Sequence, residues 1–306
     1  MSRILDFLNN EAAQKKRSPV YPMSGADAAV LVPPDATVVA PEYSGHDVYE
    51  APPPDAVVPL PPDAAEEEIV AAGEFDISKS TSQMQRAMDP GTILGEQFRI
   101  LRTRLSLLQK QSGIKTILIT STVPKEGKSF TSHALAGVFA QEHAKRVVII
   151  DADLRKMGSG GEYGLKLGID TPGTAQVLQG ICEFRKSLLK SVEPEFWFLP
   201  SGALPHNPSE LLSSPETEKM LRFAAERFDW VIVDSPPSLA LSDPNLLAPL
   251  CDVVVFVVRA NSTTARIAQE AMNKIGREHI CGVVLNRKKQ LHSSRHYYQY
   301  YYQSQK

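Results

Sequence analysis

The sequence predicts an α/β fold in which a mostly parallel sheet is flanked by helices. Short apolar segments alternate with helical stretches over residues 90–286, and strands that are apolar on both faces are typical of a parallel sheet covered on each side. We expect such strands at residues 114–120, 146–150, 196–199, 230–233, 253–258 and 282–285. Ligands bind at the carboxyl edge of a sheet of this kind, so functional residues are expected directly after the strands.

Residues 1–89 differ in composition from the rest of the chain. They are rich in Pro, Ala, Asp and Glu, and the sequence Pro-Pro-Asp-Ala begins at Pro33, again at Pro53 and again at Pro61. Because proline fixes φ and removes a backbone donor, we expect a low-complexity, disordered tether. A short helix over residues 4–16 has an apolar face, which would either rest on an anionic membrane surface or a partner, or belong to a frayed terminus.

The overall composition excludes several classes of protein. The 33 Lys and Arg residues and 35 Asp and Glu residues give a net charge of −2, so no basic field favours nucleic-acid binding. Cys182, Cys251 and Cys281 form no Cys-x-x-Cys pair, which fits a reducing compartment without structural zinc. No apolar run approaches the ~20 residues that span a bilayer, and the amino terminus lacks the apolar core of a signal peptide. We therefore expect a cytoplasmic protein.

A strong helix signal precedes the first predicted strand. Its apolar stripe, with spacings of four and three residues, consists of Leu94, Phe98, Leu101, Leu105 and Leu108. Glu96, Arg99 and Arg102 follow one another at three-residue steps on a neighbouring face. The spacing of these charges alone favours a solvated surface.

Residues 117–130 read Ile-Leu-Ile-Thr-Ser-Thr-Val-Pro-Lys-Glu-Gly-Lys-Ser-Phe, which predicts a strand, a polar loop and the start of a helix. Gly127 lets the backbone approach an anion, and the first N–H groups of the helix point at a phosphate. We expect Lys128 to reach the β- and γ-phosphates of ATP and Ser129 to ligate Mg²⁺, as in a P-loop NTPase. Thr122 replaces the first glycine of the usual motif, so the loop is a deviant Walker A; the alternative is a helix start that merely caps. The residues expected at the nucleotide are Thr122, Pro124, Lys125, Glu126, Gly127, Lys128, Ser129 and Phe130.

Aspartates follow two of the other predicted strands. Asp151 and Asp153 end the second strand, and alternation along an extended chain puts them on the same side. Asp234 ends a Walker B pattern and is expected to hold the hydration shell of Mg²⁺. One aspartate after a strand is often a cap or turn residue, but three beside Gly-Lys-Ser indicate a site for ATP and Mg²⁺.

Asn286 ends the last predicted strand. Its amide offers an acceptor and donors, which makes it a candidate for reading the edge of adenine. A turn asparagine is an equally good interpretation of the same position.

Residues 287–306 contain a dense tyrosine cluster at Tyr297, Tyr298, Tyr300, Tyr301 and Tyr302. The spacing of these tyrosines fits neither strand nor helix periodicity, and Gln, Ser and His lie on every side of them. The segment is therefore either a sticky disordered tail or a flexible block of phosphoryl acceptors. It leaves the sheet at the nucleotide edge, and ~20 residues extend to ~65 Å, which reaches its own site or a neighbour's. An aspartate near the γ-phosphate can accept the phenol proton, and Asp151 is our candidate.

These features together make residues 90–306 resemble the bacterial tyrosine kinases (BY-kinases) that control exopolysaccharide and capsule export. The motifs that carry the resemblance lie at residues 121–129, 151–155, 205–212 and 233–237 and in the tyrosine cluster. It implies a tyrosine autokinase that uses ATP and Mg²⁺ to phosphorylate that cluster. It also implies roles at single positions: Lys128 on the phosphates, Ser129 and Asp234 on Mg²⁺, and Asp151 with Asp153 in catalysis.

The resemblance implies partners as well. Glu96, Arg99 and Arg102 match the Glu-x-x-Arg-x-x-Arg helix of the family, which implies a contact between subunits of a homo-oligomeric ring in which each tail enters the next protomer's site. A separate membrane polysaccharide co-polymerase is implied as the activator, which would recruit the protein to the inner face of the membrane.

The chain departs from the family pattern in two places. Residues 157–161, Met-Gly-Ser-Gly-Gly, stand where the family usually has a proline, so the loop that covers the nucleotide is expected to differ. Lys125 occupies a position often held by glycine, which is expected to alter the approach to phosphate.

Two other functions are alternatives to a kinase. A MinD/ParA-like ATPase dimer switch has the same broad fold, but its signature lysine would sit at Val123, Pro124 replaces its glycine, and a basic membrane helix would be expected in place of the tyrosines. An ATP-binding scaffold of the polysaccharide machinery would lack kinase activity, although every carboxylate that the chemistry needs is present.

Overall fold

One sheet of eight strands spans the described part of the chain, residues 69–156, 159–168 and 170–287 of a computed structural model. The strands are Gly73–Phe75 (β1), Thr116–Ser121 (β2), Val147–Asp151 (β3), Leu189–Ser191 (β4), Phe196–Leu199 (β5), Trp230–Asp234 (β6), Val253–Arg259 (β7) and Ile280–Asn286 (β8). Their order is β1-β4-β5-β3-β6-β2-β7-β8, and each neighbouring pair is parallel except the antiparallel pair β4–β5. The predicted mostly parallel sheet is confirmed, and all six predicted strands form with small differences at their ends.

Helices cover both faces of this sheet. The α-helices of the described residues are Ser82–Met88 (α1), Ile93–Ser112 (α2), Lys128–Ala140 (α3), Thr174–Leu178 (α4), Pro208–Leu212 (α5), Pro215–Arg227 (α6), Asp243–Leu247 (α7) and Ala265–Ile275 (α8). Short 3₁₀ turns lie at Ile77–Lys79, Ser159–Tyr163, Phe184–Lys186, Ala248–Leu250 and Arg277–His279. Helices α1 to α3 pack on one face and α4 to α8 on the other. Within the described ranges, no helix has both the length and the hydrophobicity needed to cross a bilayer.

Strand β2 shows how one sheet separates two apolar cores. Ile117 and Ile119 pack with α1, α2 and α3, whereas Leu118 lies in the opposite core with α4 to α8, because successive side chains of a strand point to opposite faces. All three side chains are fully buried, and each such burial contributes about 1.5–3 kcal/mol to the free energy of folding. The strand is thus held from both sides, which fixes the position of the loop that follows it.

Composition predicts that the folded unit starts at residue 90, but elements that pack on the sheet occur before that residue. Strand β1 pairs in parallel with β4, and α1 buries Met84 and Met88 in the core shared with α2 and α3. A three-residue strand and a seven-residue helix are too short to show periodicity in the sequence, so the predicted domain start was too late. The predicted helix at residues 4–16, the proline-rich repeats and the tyrosine cluster lie outside the described residues.

The carboxyl ends of six mutually parallel strands lie at one edge of the sheet, in the order β5, β3, β6, β2, β7 and β8. The phosphate loop follows β2, and the last residues of β3 and β6, Asp151 and Asp234, are paired in register. Arg259 at the end of β7 pairs in the same way with Asn286 at the end of β8. The sheet therefore gathers residues that are far apart in the sequence into one candidate site.

Candidate active site

The loop between β2 and α3 has the backbone of a phosphate loop. Gly127 precedes the helix with φ of 94°, a left-handed conformation that glycine adopts at little cost, and a Cβ there would collide with the amide of Asn286. The helix begins at Lys128, so its first N–H groups lack intrahelical acceptors and are available to an anion. Lys125 also has a positive φ, of 66°. The chain therefore has at Lys125 a left-handed conformation that glycine would adopt at less cost.

Lys128 lies at the centre of a charged cluster. Its Nζ is 2.8 Å from Oδ2 of Asp153, 3.6 Å from Oδ2 of Asp234 and 3.1 Å from Oγ of Ser129. Burial alone would lower the pKa of Lys128, but Asp234 and Asp153 outweigh it and raise the pKa above its ordinary value. The ammonium group is therefore charged at every physiological pH, as a phosphate ligand must be.

Asp234 is fully buried, and its two carboxylate oxygens have different partners. Its Oδ1 accepts a hydrogen bond of 3.1 Å from Oγ of Ser132, whereas its Oδ2 has no hydrogen-bond donor among the described residues. Burial raises the pKa of Asp234, and Lys128 and Ser129 oppose that effect. A buried carboxylate that pairs with Lys128 at 3.6 Å, beside the Ser129 hydroxyl, fits the hydration shell of a Mg²⁺ ion that accompanies a nucleotide. The residues predicted to hold Mg²⁺ thus have the donor set that this ion prefers.

Asp151 is held at the end of β3 by a contact that sequence reasoning missed. Its Oδ2 accepts hydrogen bonds from Oγ and N of Ser159, at 2.7 and 3.3 Å, and its Oδ1 accepts one of 3.1 Å from N of Asp153. Burial and the neighbouring Asp234 raise the pKa of Asp151 to about 7, against the effect of the Ser159 hydrogen bond. Such a carboxylate suits the transfer of a proton near neutral pH. Ser159 is in the segment expected to differ from the family, and that departure was the available signal.

Two side chains of the loop, those of Glu126 and Phe130, face the protein interior. The carboxylate of Glu126 is buried and accepts hydrogen bonds from backbone N–H groups of Thr122 and Val123. Phe130 is also buried, and its ring packs edge-on against Phe98 at 5.9 Å between centroids. The turn at the start of α3 directs these side chains into the core, and a nucleotide contact of Glu126 and Phe130 remains a prediction. Only their backbone groups remain available to a phosphate.

The tip of the loop at Pro124 and Lys125 is exposed to solvent, unlike Thr122 two residues earlier. Pro124 and Lys125 are exposed, whereas Thr122 is fully buried and its Oγ1 has no hydrogen-bond partner among the described residues. A nucleotide contact of Pro124 and Lys125 remains a prediction, and at Thr122 the side chain points away from solvent.

Asn286 contacts the phosphate loop. Its Nδ2 donates a hydrogen bond of 2.8 Å to the carbonyl oxygen of Glu126, and its Oδ1 accepts one of 2.8 Å from N of Arg287. Of the two interpretations left open by the sequence, these contacts favour a structural asparagine at a turn. Contact with adenine remains a prediction.

Comparison with known proteins finds similarity over the same part of the chain. A family model described as "AAA domain" matches residues 114–278. "Tyrosine-protein kinase YwqD" of Bacillus subtilis (strain 168) is 35% identical over 224 residues, which cover 71% of this chain and 93% of that protein. The chain belongs to the bacterial tyrosine kinases.

Further similarities agree with this family. "Putative tyrosine-protein kinase EpsB" of Ralstonia solanacearum is 31% identical over 248 residues, which cover 80% of this chain but only 31% of that protein. The solved kinase domain of the Escherichia coli tyrosine kinase ETK superposes with a TM-score of 0.61 at 29% identity, covering 73% of this chain and 94% of that one. The predicted family and the predicted enzyme class, a protein-tyrosine kinase, are confirmed. Together with the phosphate loop, they imply that the chain binds a nucleotide.

The helix with the Glu-x-x-Arg-x-x-Arg motif of this kinase has an internal contact that its spacing did not indicate. Nη1 of Arg102 donates a hydrogen bond of 2.9 Å to the carbonyl oxygen of Val138, and its Nε forms a 3.1 Å ion pair with Glu142. A guanidinium at the carboxyl end of α3 is also favourable for the helix dipole. Arg99 and Glu96 form a pair at 3.6 Å on the same helix. All three residues thus have partners within their own chain, and a subunit contact through Glu96, Arg99 and Arg102 remains a prediction.

A second network ties two of the kinase motifs together. Arg155 forms a bidentate ion pair with Asp243, with distances of 2.6 Å from Nε to Oδ2 and 2.9 Å from Nη2 to Oδ1. Ser209 donates a hydrogen bond of 2.7 Å to the same Asp243. Burial opposes ionisation of Asp243, but the bonds from Arg155 and Ser209 hold its pKa below the usual value. The network fixes the segment after Asp153 against α5 and α7, and no sequence pattern singled out Asp243.

Proposed function

We propose that this chain is an ATP- and Mg²⁺-dependent tyrosine autokinase that phosphorylates the tyrosines near its own carboxyl terminus. The observation that supports it most is the cluster in which Nζ of Lys128 lies within 3.6 Å of both Asp153 and Asp234, with Asp151 beside them. The proposed acceptors are Tyr297, Tyr298, Tyr300, Tyr301 and Tyr302. Membership of the kinase family supports the reaction type, and the acceptors follow from the sequence.

The proposed chemistry needs mainly positioning and one proton acceptor. When bound, ATP with Mg²⁺ supplies the phosphoryl group and neutralises much of its charge. Lys128 holds the phosphates, and the N–H groups at the start of α3 orient them. The phenol oxygen forms a bond to the γ-phosphorus as the bond from that phosphorus to the β,γ-bridging oxygen breaks, and Asp151 takes the phenol proton. ADP then leaves, and Asp151 returns its proton to solvent.

The path of the chain supports the tail as the substrate. Strand β8 ends at Asn286, which contacts the carbonyl oxygen of Glu126 in the phosphate loop. The residues after Arg287 therefore continue from a point beside the site. Residues 288–306 would extend over up to ~65 Å, which reaches the site of the same chain or of a neighbour.

We propose further that subunits associate in a ring through Glu96, Arg99 and Arg102, so that each tail enters the next protomer's site. Support comes from the family resemblance and from the position of Glu96 in the first turn of α2, with its side chain 37% exposed. A separate membrane polysaccharide co-polymerase would activate the kinase at the inner face of the membrane. The phosphorylation state of the tail would then regulate exopolysaccharide polymerisation and export.

Intact mass spectrometry after incubation with ATP and Mg²⁺, with the activator present, tests the proposal. The full chain should gain several phosphates, whereas a chain that ends at Ser294 should gain none. Lys128→Met should abolish labelling, and Lys110→Met, which changes an exposed lysine of α2, should not. Hydrolysis of ATP with every terminal tyrosine unmodified would contradict the kinase proposal and favour an ATPase switch.

A further inference from the structure

Glu126 is a buried acid in the middle of a loop that binds anions. The residue is only 1% exposed. If its carboxylate pointed toward the phosphate side of the loop, it would repel bound phosphates. The mechanism proposed above does not use it. Its contacts indicate a different role.

The carboxylate of Glu126 accepts four hydrogen bonds from two parts of the fold. Oε2 accepts from N of Thr122 at 2.6 Å and from N of Val123 at 3.0 Å. Oε1 accepts from N of Arg259 at 3.1 Å and from Oγ1 of Thr263. The first pair belongs to the start of the phosphate loop, and the second belongs to the junction between β7 and α8.

These bonds satisfy groups that would otherwise be costly to bury. A backbone N–H without an acceptor in the interior, or a carboxylate without donors, opposes folding. Lys125 and Gly127, with φ of 66° and 94°, turn the chain on either side of Glu126. The side chain of Glu126 faces the interior while the N–H groups that follow remain at the phosphate side.

The backbone of Glu126 also forms a hydrogen bond with a distant part of the chain. Its carbonyl oxygen accepts the hydrogen bond from Nδ2 of Asn286, at the end of β8. One residue therefore connects the first and middle parts of the loop, the end of β7, the segment between β7 and α8, and the end of β8.

We propose that Glu126 is a positioning residue that holds the phosphate loop in its binding conformation by fastening it to the β7–α8 junction. The inference rests on the proposed function only in taking the loop as the nucleotide site. Because the loop is held by the protein itself, nucleotide binding need not pay for ordering it. Loss of the carboxylate should weaken nucleotide binding by the folded protein.

The test uses two variants of the full chain and a matched control. Glu126→Gln replaces one acceptor oxygen with a donor that faces existing N–H groups, whereas Thr263→Val removes a single hydrogen bond without a change of charge. Glu270→Gln makes the same chemical change at an exposed position of α8. Affinity is measured by titration with fluorescent N-methylanthraniloyl-ADP and Mg²⁺, and folding by thermal unfolding.

We expect Glu126→Gln to weaken ADP binding at least about tenfold, Thr263→Val about threefold, and the double variant no more than Glu126→Gln alone. Glu270→Gln should bind as the wild type does. Raising the ATP concentration should restore tail phosphorylation in Thr263→Val, because the loop and not the chemical step is affected.

Wild-type affinity in a folded Glu126→Gln variant would overturn the proposal. If that variant does not fold, Thr263→Val decides, and unchanged affinity there overturns it equally. A wild-type protein that binds ADP but never labels its tail would refute the proposed kinase function and leave this inference standing. A wild-type protein that does not bind ADP would refute both.

Discussion

His133 makes the stability of this kinase depend on pH in a predictable direction. Its ring is fully buried on α3, 4.4 Å from the ring centroid of Tyr163 and 5.3 Å from that of Phe198. Neither ring nitrogen has a hydrogen-bond partner within the described residues. Burial, with a smaller contribution from the charge of Lys128, lowers the pKa of His133 to about 3.

The sign and size of the effect follow from the two states. In the unfolded chain the imidazole takes up a proton near pH 6.5, whereas the folded protein resists protonation until far lower pH. The unfolded state therefore binds more protons as the pH falls below 6.5, and the free energy of unfolding decreases. For a folded pKa of about 3, this loss is negligible at pH 7.5 and amounts to about 2 kcal/mol at pH 5.0.

His133→Leu removes the titrating group and keeps an apolar side chain in the aromatic core. Between pH 7.5 and 5.0, the wild type should lose about 2 kcal/mol more of its free energy of unfolding than this variant does. Urea titrations followed by the fluorescence of Trp197 and Trp230 at both pH values measure the difference. His206→Leu, at an exposed position, should keep the pH dependence of the wild type. Equal losses in the wild type and His133→Leu would refute the reasoning.

Four other predictions concern the site, the helices and the tail. Asp151→Asn should slow tail labelling about 10²- to 10⁴-fold while binding of fluorescent ADP is retained, and equal loss of both would assign it to binding instead. Arg102→Ala should lower the free energy of unfolding in urea by about 1–3 kcal/mol because it leaves Val138 and Glu142 without their partner; the exposed Arg104→Ala should change it little, and equal effects would contradict the contact. Lys125→Gly should stabilise the protein against urea by up to ~1 kcal/mol, since relief of the left-handed strain exceeds the added chain entropy, and a net loss would show that the loop needs the lysine side chain. Phosphorylation adds about −1.5 to −2 charges per tyrosine, about −8 to −10 for the cluster, and should dissociate the oligomer in light scattering; an unchanged assembly would count against release by repulsion.

The parts of the site that could be predicted from the sequence are contiguous motifs at the ends of strands. Gly127, Lys128 and Ser129 follow an apolar strand after a short loop, and Asp151 and Asp234 end two other strands. Local pattern and the rules of parallel sheets therefore suffice to place them together. The charged cluster around Lys128 has the members that this reasoning expects.

Contacts between distant parts of the chain could not be read in this way. Arg155 and Asp243 are 88 residues apart, and Glu126 and Thr263 are 137 residues apart. Neither pair has a spacing that indicates contact, and only the strand order brings them together. The orientation of Phe130 could not be predicted for a related reason: the motif gives its position after Ser129, but the direction of its side chain depends on the packing of α3 against α2.

Helix α3 joins two places that the chemistry treats separately. It starts at the phosphate loop and ends beside the contact with Arg102, and its 13 residues span ~20 Å between them. If subunits meet along α2, the nucleotide contacts the amino end of α3, and the neighbouring protomer acts near its carboxyl end through Arg102. Linkage then requires the two effects to be reciprocal: the factor by which ATP tightens or loosens assembly equals the factor by which assembly changes the affinity for ATP.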